Sequence, residues 1–323
     1  VLRLARSRMM KSDGIVWLAS YPKSGNTWAR ALVEAYVKGS VDINKMSTCI
    51  GDNVPYFYNT VSPGLELTPE IIRLLRPAAL LHLKALEACK PLIVKTHHAN
   101  VVVDEMGMIP VGLTKGAVYI IRDPRDVVLS YAKHFNYSVD EAIAALADPH
   151  RVIVDEPFEH ILGSYSLHVK SWTCEQEYPI LLVRYEKMLS DPYETFGGML
   201  SFMGFDIYEE RLRRAIDLCD ISQLRAQEAE KGFKERRNGE TFFNSGRAGG
   251  WESGLTNAQS QQIITNHEDV FNEFYPSATR GDNDGRRRDD ESGEQDASAD
   301  NPPRWTLAHR EQKRTEESAR TRA

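Results

Sequence analysis

Residues 21–28 read Y-P-K-S-G-N-T-W, and the patterns on either side leave such a chain few folds to choose from. Before them, residues 15–20 (I-V-W-L-A-S) carry the β-branched and aromatic side chains of a buried strand. After them, residues 27–37 (T-W-A-R-A-L-V-E-A-Y-V) place apolar residues at helical spacing. The unit is strand, loop, helix. Pro22 and Gly25 make the turn, and Gly25 lets the backbone close on a ligand. The helix start near Thr27 offers unpaired N–H groups and a positive dipole end. Lys23 adds a full charge, and Ser24 and Thr27 add hydroxyl donors to the same concavity. An anion belongs there.

The nearest comparison by mechanism is the Walker A loop, G-x-x-x-x-G-K-[ST]. Here Lys23 precedes the Ser24-Gly25 pair and a second glycine is missing. That order favours a phosphate site without a metal over an ATP or GTP site with Mg²⁺. Two further strands converge on the same end. Residues 91–95 (P-L-I-V-K) end in Thr96, His97 and His98. Residues 117–121 (A-V-Y-I-I) end in Arg122-Asp123-Pro124-Arg125-Asp126, after which a helix is expected over 124–135. In open parallel sheets ligands sit beyond the carboxyl ends of strands, so these polar strings point to one place. Arg122 can fork onto a phosphate, and Ser130 faces back along the helix.

The four cysteines, Cys49, Cys89, Cys174 and Cys219, are far apart and form no C-x-x-C pair. They suggest neither a zinc site nor a disulfide framework, and a reducing compartment fits them. A net charge of −6 over 323 residues speaks against a nucleic-acid surface while permitting a local basic pocket. The basic start, residues 1–11, lacks the apolar core of a signal peptide, and no run approaches a membrane span, so a cytoplasmic location is expected. Met9 or Met10 can be the true start. Residues 277–323 are charged, nearly free of apolar side chains and expected to be a disordered tail; Arg286 to Arg288 are followed at once by Asp289, Asp290 and Glu291.

Between these landmarks, residues 39–69 show no period and read either as a loop-rich pocket wall or as a surface crossover. Residues 69–88 read as a helix that Pro77 should break or kink. Residues 139–162 are loosely helical, then loop-like, and suit an acceptor lid. A helix over 164–177 leads to a strand over 180–184 and then to Tyr185. Helical patterns follow over 193–203 and 209–219, and residues 221–233 lead into what comes next. Near the end stands a basic, glycine-containing segment, E-R-R-N-G-E-T-F-F-N-S-G-R-A-G-G-W.

Taken in order, these strings resemble the sulfotransferases that use 3′-phosphoadenosine 5′-phosphosulfate (PAPS), and the resemblance runs from Ile15 to about Tyr275. The loop at 21–28 resembles their 5′-phosphosulfate loop, Y-P-K-[SA]-G-[TN]-T-W. Lys95-Thr96-His97 resembles the segment with the general base; His98 lacks that support. Residues 118–130 resemble the 3′-phosphate segment, R-[DN]-x-[RK]-D-x-x-x-S, and Arg184-Tyr185-Glu186 resembles the adenine-side segment, which makes Tyr185 either a contact for the base or a packed core side chain. Residues 244–251 resemble the C-terminal phosphate loop, R-K-G-x-x-G-[DG]-W, but Asn244 and Ser245 replace its two basic residues. Ile221 stands where a phenylalanine often flanks the adenine, which leaves Trp28 as the firmer stacking residue.

The resemblance implies a single α/β domain over residues 12–276, with a central parallel sheet, helices on both faces and a P-loop-like phosphate-binding core. It implies a cytosolic-type, PAPS-dependent sulfotransferase of the bacterial small-molecule kind. Such an enzyme moves a sulfuryl group to an acceptor hydroxyl, less readily an amine, with PAPS as co-substrate and without metal, nucleic acid or membrane. In that scheme His97 is the general base, Lys23 stabilises the leaving oxygen and Lys95 assists. The amides of Ser24, Gly25, Asn26, Thr27 and Trp28 hold the 5′-phosphate. Arg122 and Ser130, with Ser245, Gly246, Arg247, Ala248 and Gly249, hold the 3′-phosphate. Two other classes stay open: a P-loop nucleotide kinase, and a catalytically weak nucleotide-binding module prompted by Asn244 and Ser245.

Overall fold

The apolar run before the phosphate loop is strand β1 (Ile15–Ser20), buried along its whole length. In this computed structural model, which describes residues 14–53, 55–86, 91–174, 176–237, 241–243, 246–279 and 304–305, β1 lies at the centre of a five-stranded sheet. The other strands are β2 (Cys49–Gly51), β3 (Leu92–Thr96), β6 (Thr114–Ile121) and β9 (Ile180–Arg184), in the order β2-β3-β1-β6-β9. Every pairing is parallel, so all five strands end on the same side.

Alternation along these strands divides the core. Trp17, Ala19, Val94, Tyr119 and Ile121 face one layer, and Val16, Leu18, Ile93, Val118 and Ile120 the other. Helices α1 (Asn26–Lys38), α8 (Pro192–Met203), α9 (Glu209–Leu218) and α10 (Ile221–Lys231) cover the second face through Leu32, Phe196, Leu212 and Leu224. Helices α3 (Pro69–Leu86), α4 (Pro124–Phe135), α5 (Val139–Ala147), α6 (Tyr165–Thr173) and α13 (Glu268–Phe274) cover the first through Leu83, Tyr131, Leu146, Trp172 and Phe271. Helices α7 (Tyr185–Ser190), α11 (Trp251–Gly254), α12 (Asn257–Asn266) and α14 (Pro276–Thr279) complete the α/β architecture expected.

Three local expectations change. Residues 39–69 contain the edge strand β2 and a short helix α2 (Pro55–Val61). Helix α3 runs through Pro77 without a break, because its buried side is anchored from both ends: Arg76 reaches Asp52 and the Met108 carbonyl, while Leu80 and Leu83 enter the core. The stretch after α5 is a hairpin, β7 (Val152–Asp155) and β8 (Phe158–Ile161), rather than a loop. A smaller hairpin, β4 (Val102–Val103) and β5 (Met106–Gly107), pairs in parallel with Arg304–Trp305, and the rest of the charged tail beyond Thr279 lies outside the described residues. Among the described residues no helix is long and apolar enough to cross a membrane.

Candidate active site

Beyond the carboxyl ends of β1, β3 and β6 opens a cavity of about 780 Å³, and the loop after β1 forms its floor. Two backbone features shape that loop. Lys23 adopts φ 71°, uncommon for a residue with a side chain, and Gly25 adopts φ 104° at the N-cap of α1. A Cβ on Gly25 would stand 2.6 Å from the ring of Tyr185, so only glycine fits. Asn26 ties the helix start back to the strand, its amide donating to the Leu18 carbonyl at 3.1 Å and to Ser20 Oγ at 3.3 Å. No side chain caps α1, so its first-turn N–H groups face the cavity as an anion cradle.

Lys23, Gly25, Asn26, Thr27 and Trp28 line the cavity. Ser24 does not: it is fully buried behind the loop, and its hydroxyl meets no partner there. The ammonium of Lys23 lies 3.8 Å from the centre of the Phe242 ring. Burial pulls the amine down to about 7, against the opposing pull of Glu235. Glu235 is a residue that sequence reasoning missed. Its carboxylate accepts from Thr27 Oγ1 at 3.3 Å and from Arg30 Nη1 at 2.8 Å. Burial would raise it, but Arg30 and then Lys95 hold it below the usual carboxylate range.

The second wall belongs to Arg122. Its Nη1 donates to the Lys23 carbonyl at 3.0 Å, its Nη2 to the Arg247 carbonyl at 3.4 Å, and its guanidinium lies 4.3 Å from the centre of the Tyr185 ring. Ser130, Gly246 and Arg247 line the same wall. Gly246, at φ 60°, sits so close to Ile221 that a Cβ would meet it at 2.7 Å. Ala248 is exposed and outside the wall, and Gly249 donates its N–H at 2.8 Å to Asp126. The other carboxylate oxygen of Asp126 takes the N–H of Trp251 at 3.0 Å. Asp126 thereby pins the glycine-rich loop to α4. Arg125 is structural, paired with Asp123 and stacked 3.5 Å over Trp251. Asn244 and Ser245 lie outside the described residues. Trp28, Tyr185, Leu189 and Ile221 line an apolar slot beside this wall, with the Trp28 indole N–H held by the Cys219 carbonyl at 2.9 Å.

His97 stands at the far end of the cavity. A carbonyl only accepts, so the 2.8 Å contact between His97 Nδ1 and the Ser20 carbonyl puts the ring proton on Nδ1 and leaves Nε2 bare. Burial, reinforced by Lys95 and His160, keeps the imidazole well below its ordinary value and therefore neutral. His168 steadies the backbone here, donating from Nε2 to the His97 carbonyl at 3.1 Å while its Nδ1 accepts from Tyr119 at 2.9 Å. Lys95, beside His97 in the cavity wall, is likewise lowered by burial. His98 turns the other way, where its Nδ1 accepts the Ile161 N–H at 3.1 Å.

A family model described as "Sulfotransferase domain" matches residues 13–273. The chain belongs to the sulfotransferase domain family. This sulfotransferase is 27% identical over 273 residues to cytosolic sulfotransferase 16 of Arabidopsis thaliana, covering 79% of this chain and 75% of that protein. It is 28% identical over 276 residues to flavonol 3-sulfotransferase of Flaveria bidentis, covering 77% and 78%. Among solved structures it shares its fold with retinol dehydratase in complex with androsterone and the inactive cofactor PAP, at a TM-score of 0.55 and 22% identity over 84% of this chain and 82% of the other. A mouse sulfotransferase complexed with PAP aligns at a TM-score of 0.53 and 17% identity, covering 84% and 88%. Nothing in these likenesses bears on the expected bacterial origin.

The sulfotransferase cavity thus brings together Lys23, Thr27, Trp28, Lys95, His97, Arg122, Ser130, Tyr185, Gly246 and Arg247, all expected from sequence strings. Asn53, Asp155, His160 and Glu235 join them unannounced. Asn53 follows a strand too short to show a period, and His160 sits in a hairpin that read as loop. The one available signal for Glu235 was its place in the charged segment before the glycine-rich loop.

Proposed function

We propose that this sulfotransferase moves a sulfuryl group from PAPS to a hydroxyl of a small-molecule acceptor, with His97 as the general base. What carries the reading is the fixed tautomer of His97: Nδ1–H is spent on the Ser20 carbonyl, and the bare Nε2 opens on the same cavity as the Lys23 loop. The chain's residues fit the donor. The glycine-only cradle at Gly25 and the uncapped start of α1 suit a 5′-phosphate. Arg122, whose Nε is buried without a partner, with Ser130 and Arg247, suits a 3′-phosphate. The slot of Trp28, Tyr185 and Ile221 suits a purine face.

The bound donor supplies an activated sulfuryl group. His97 Nε2 takes the proton of the acceptor hydroxyl as the new S–O bond forms and the bond to the 5′-phosphate breaks. Lys23 meets the negative charge that builds on the departing oxygen, and Lys95 supports it from β3. A relative named flavonol 3-sulfotransferase, and a structural neighbour bound to androsterone, suggest hydroxylated small molecules as acceptors, and relatives named cytosolic sulfotransferases suggest the cytoplasm. The order of Lys23, Ser24 and Gly25 disfavours the kinase alternative.

The test is calorimetry with 3′-phosphoadenosine 5′-phosphate (PAP), AMP and ATP, followed by turnover of PAPS against hydroxylated acceptors read by mass spectrometry. PAP should bind much more tightly than AMP or ATP, with no need of Mg²⁺. Equal affinities for the three would overturn the donor assignment.

A further inference from the structure

The cavity carries more positive charge than the donor uses. Among the described residues eight lysines and arginines line it against three carboxylates, in a chain whose net charge is −6. Two of those carboxylates are engaged, Asp126 with loop N–H groups and Glu235 with Thr27 and Arg30. Lys23, Lys95, Arg122 and Arg247 serve the donor in the scheme above. Arg237 has no part in it. This residue reaches the cavity from the segment after α10, and its guanidinium lies 5.3 Å from the centre of the Phe135 ring and 3.8 Å from Asp155 on β7. The two charged side chains are 41% and 60% exposed, and an ion pair so open to water is worth little, so a better-placed anion can displace the aspartate. The hairpin sets the span from this cation to the base. His160 of β8 stands 6.1 Å from His97, ring to ring, and is in register with Ile153 of β7; Asp155 follows two residues on, along the same face. The partner of Arg237 is thus on the order of 10 Å from His97, with the apolar Ile153 between them.

We propose that the acceptor is a hydroxylated molecule with an apolar body and an anionic far end, of the class of long-chain hydroxy carboxylates, and that Arg237 is the residue that selects it. The hydroxyl meets His97, the apolar body runs past Ile153 and Phe135, and the carboxylate pairs with Arg237 in place of Asp155. This rests on PAPS as the donor and His97 as the base. The transfer itself is unchanged: the hydroxyl oxygen gains the sulfuryl group, its proton goes to His97 Nε2, and PAP departs. The carboxylate takes no part in bond making and stays ionised throughout. A guanidinium offers it two parallel N–H donors, which an ammonium does not, and the Phe135 ring beneath adds to the pull on the cation side. A neutral acceptor of the same length leaves Arg237 with Asp155 and gains nothing from it. A short hydroxy acid cannot reach both ends at once.

The experiment compares 10-hydroxydecanoate with 1,10-decanediol, two acceptors of equal length, in PAPS turnover. The wild-type protein should favour the hydroxy acid about tenfold in kcat/KM, the worth of one charged hydrogen bond at a partly exposed site. The short pair, 4-hydroxybutyrate and 1,4-butanediol, should show no such preference. Arg237→Leu should bring the long pair to near parity while diol turnover is kept, and Arg237→Lys should keep part of the preference. Asp155→Asn, which removes the competing carboxylate, should widen it. Arg237 also borders a recess that holds Ser130 and Lys133 on the donor side, so PAP affinity is measured in parallel by calorimetry and should be unchanged in all three variants. Equal handling of the long pair by the wild-type protein, a preference that survives Arg237→Leu, or a tenfold loss of PAP affinity in that variant overturns the proposal. So does a protein that binds PAP and turns over neither long acceptor. Absence of PAP binding to the wild-type protein overturns the donor reading and this inference with it, which separates the two failures.

Discussion

Arg122 Nη1 holds the carbonyl oxygen of Lys23 at 3.0 Å. The left-handed turn at Lys23 is thus braced from the neighbouring strand end, and the two phosphate regions share one guanidinium. Arg122→Ala should therefore weaken PAP by on the order of 1.5–3 kcal/mol, about 10- to 150-fold. AMP should weaken too, though less, because the brace on the 5′ loop is lost along with the 3′ contact. Calorimetry with both nucleotides reads the split; an AMP affinity that does not change at all would deny the brace.

His97 and His98 are adjacent, and their variants should fail in different ways. His97→Ala should lower turnover by roughly 10²–10⁴-fold while leaving PAP affinity nearly unchanged, since the ring serves proton transfer. His98→Ala strands the buried Ile161 N–H, and urea unfolding should show a loss of about 1–3 kcal/mol with turnover retained in the folded fraction. An inactive but fully stable His98→Ala would reverse these roles.

A pH profile should reveal the buried base. Because burial, with Lys95 and His160, keeps His97 well below its ordinary value, turnover should hold level through pH 6.5 and fall on its acid side only at lower pH. An acid limb centred at 6.5 would mean that the ring in action is solvated.

Lys23 should couple donor binding to protons. Burial lowers its amine to about 7, so at pH 8 the folded protein holds it mostly neutral. A phosphate arriving there favours the charged form, and PAP binding at pH 8 should take up a fraction of a proton. Calorimetry in two buffers of different ionisation enthalpy measures that uptake, and Lys23→Met should abolish it. The sign for stability follows. Between about 7 and the ordinary lysine value the unfolded chain binds the extra proton, so this group's contribution to stability rises with pH across that window. Its penalty is fully present below about 7.

Asp126→Ala should release the glycine-rich loop, since both carboxylate oxygens are occupied by loop N–H groups. Two half-buried donors lose their acceptor, at about 1–3 kcal/mol each at most. PAP affinity should fall more than AMP affinity, because the loop stands on the Arg122 side. Thermal melts and PAP titrations of the same sample distinguish loop release from general unfolding.

Much of this site was legible because its residues come in strings whose spacing is set by local geometry. A turn that closes on an anion needs Gly25 and a helix start behind it, and a strand that ends at a ligand carries its polar residues in the next positions, as at His97 and Arg122. What stayed hidden depends on pairings across long sequence distances. Asn53 meets His160 only because an edge strand of three residues brings it beside the hairpin, and three residues are too few to show a period. The break that Pro77 allowed does not occur, for the opposite reason: a strong local rule yielded to Arg76 and the leucines that fix α3 on both sides of it. The Ser24 hydroxyl was placed in the concavity by its neighbours in sequence, whereas the turn rotates it behind the loop.

The two N–H groups that Asp126 receives come from residues 123 and 125 positions further along the chain. During synthesis the strands that build the sheet, β1 through β9, leave the ribosome well before Gly249 and Trp251 do. A nascent chain can therefore assemble its sheet and its phosphate loop while one wall of the donor site is still missing and the Asp126 carboxylate waits without its loop. Nucleotide capture belongs to the last part of the chain's emergence, and an arrested chain ending short of Trp251 would carry the strands of the sheet without the grip and without the cover that α13 gives their first face.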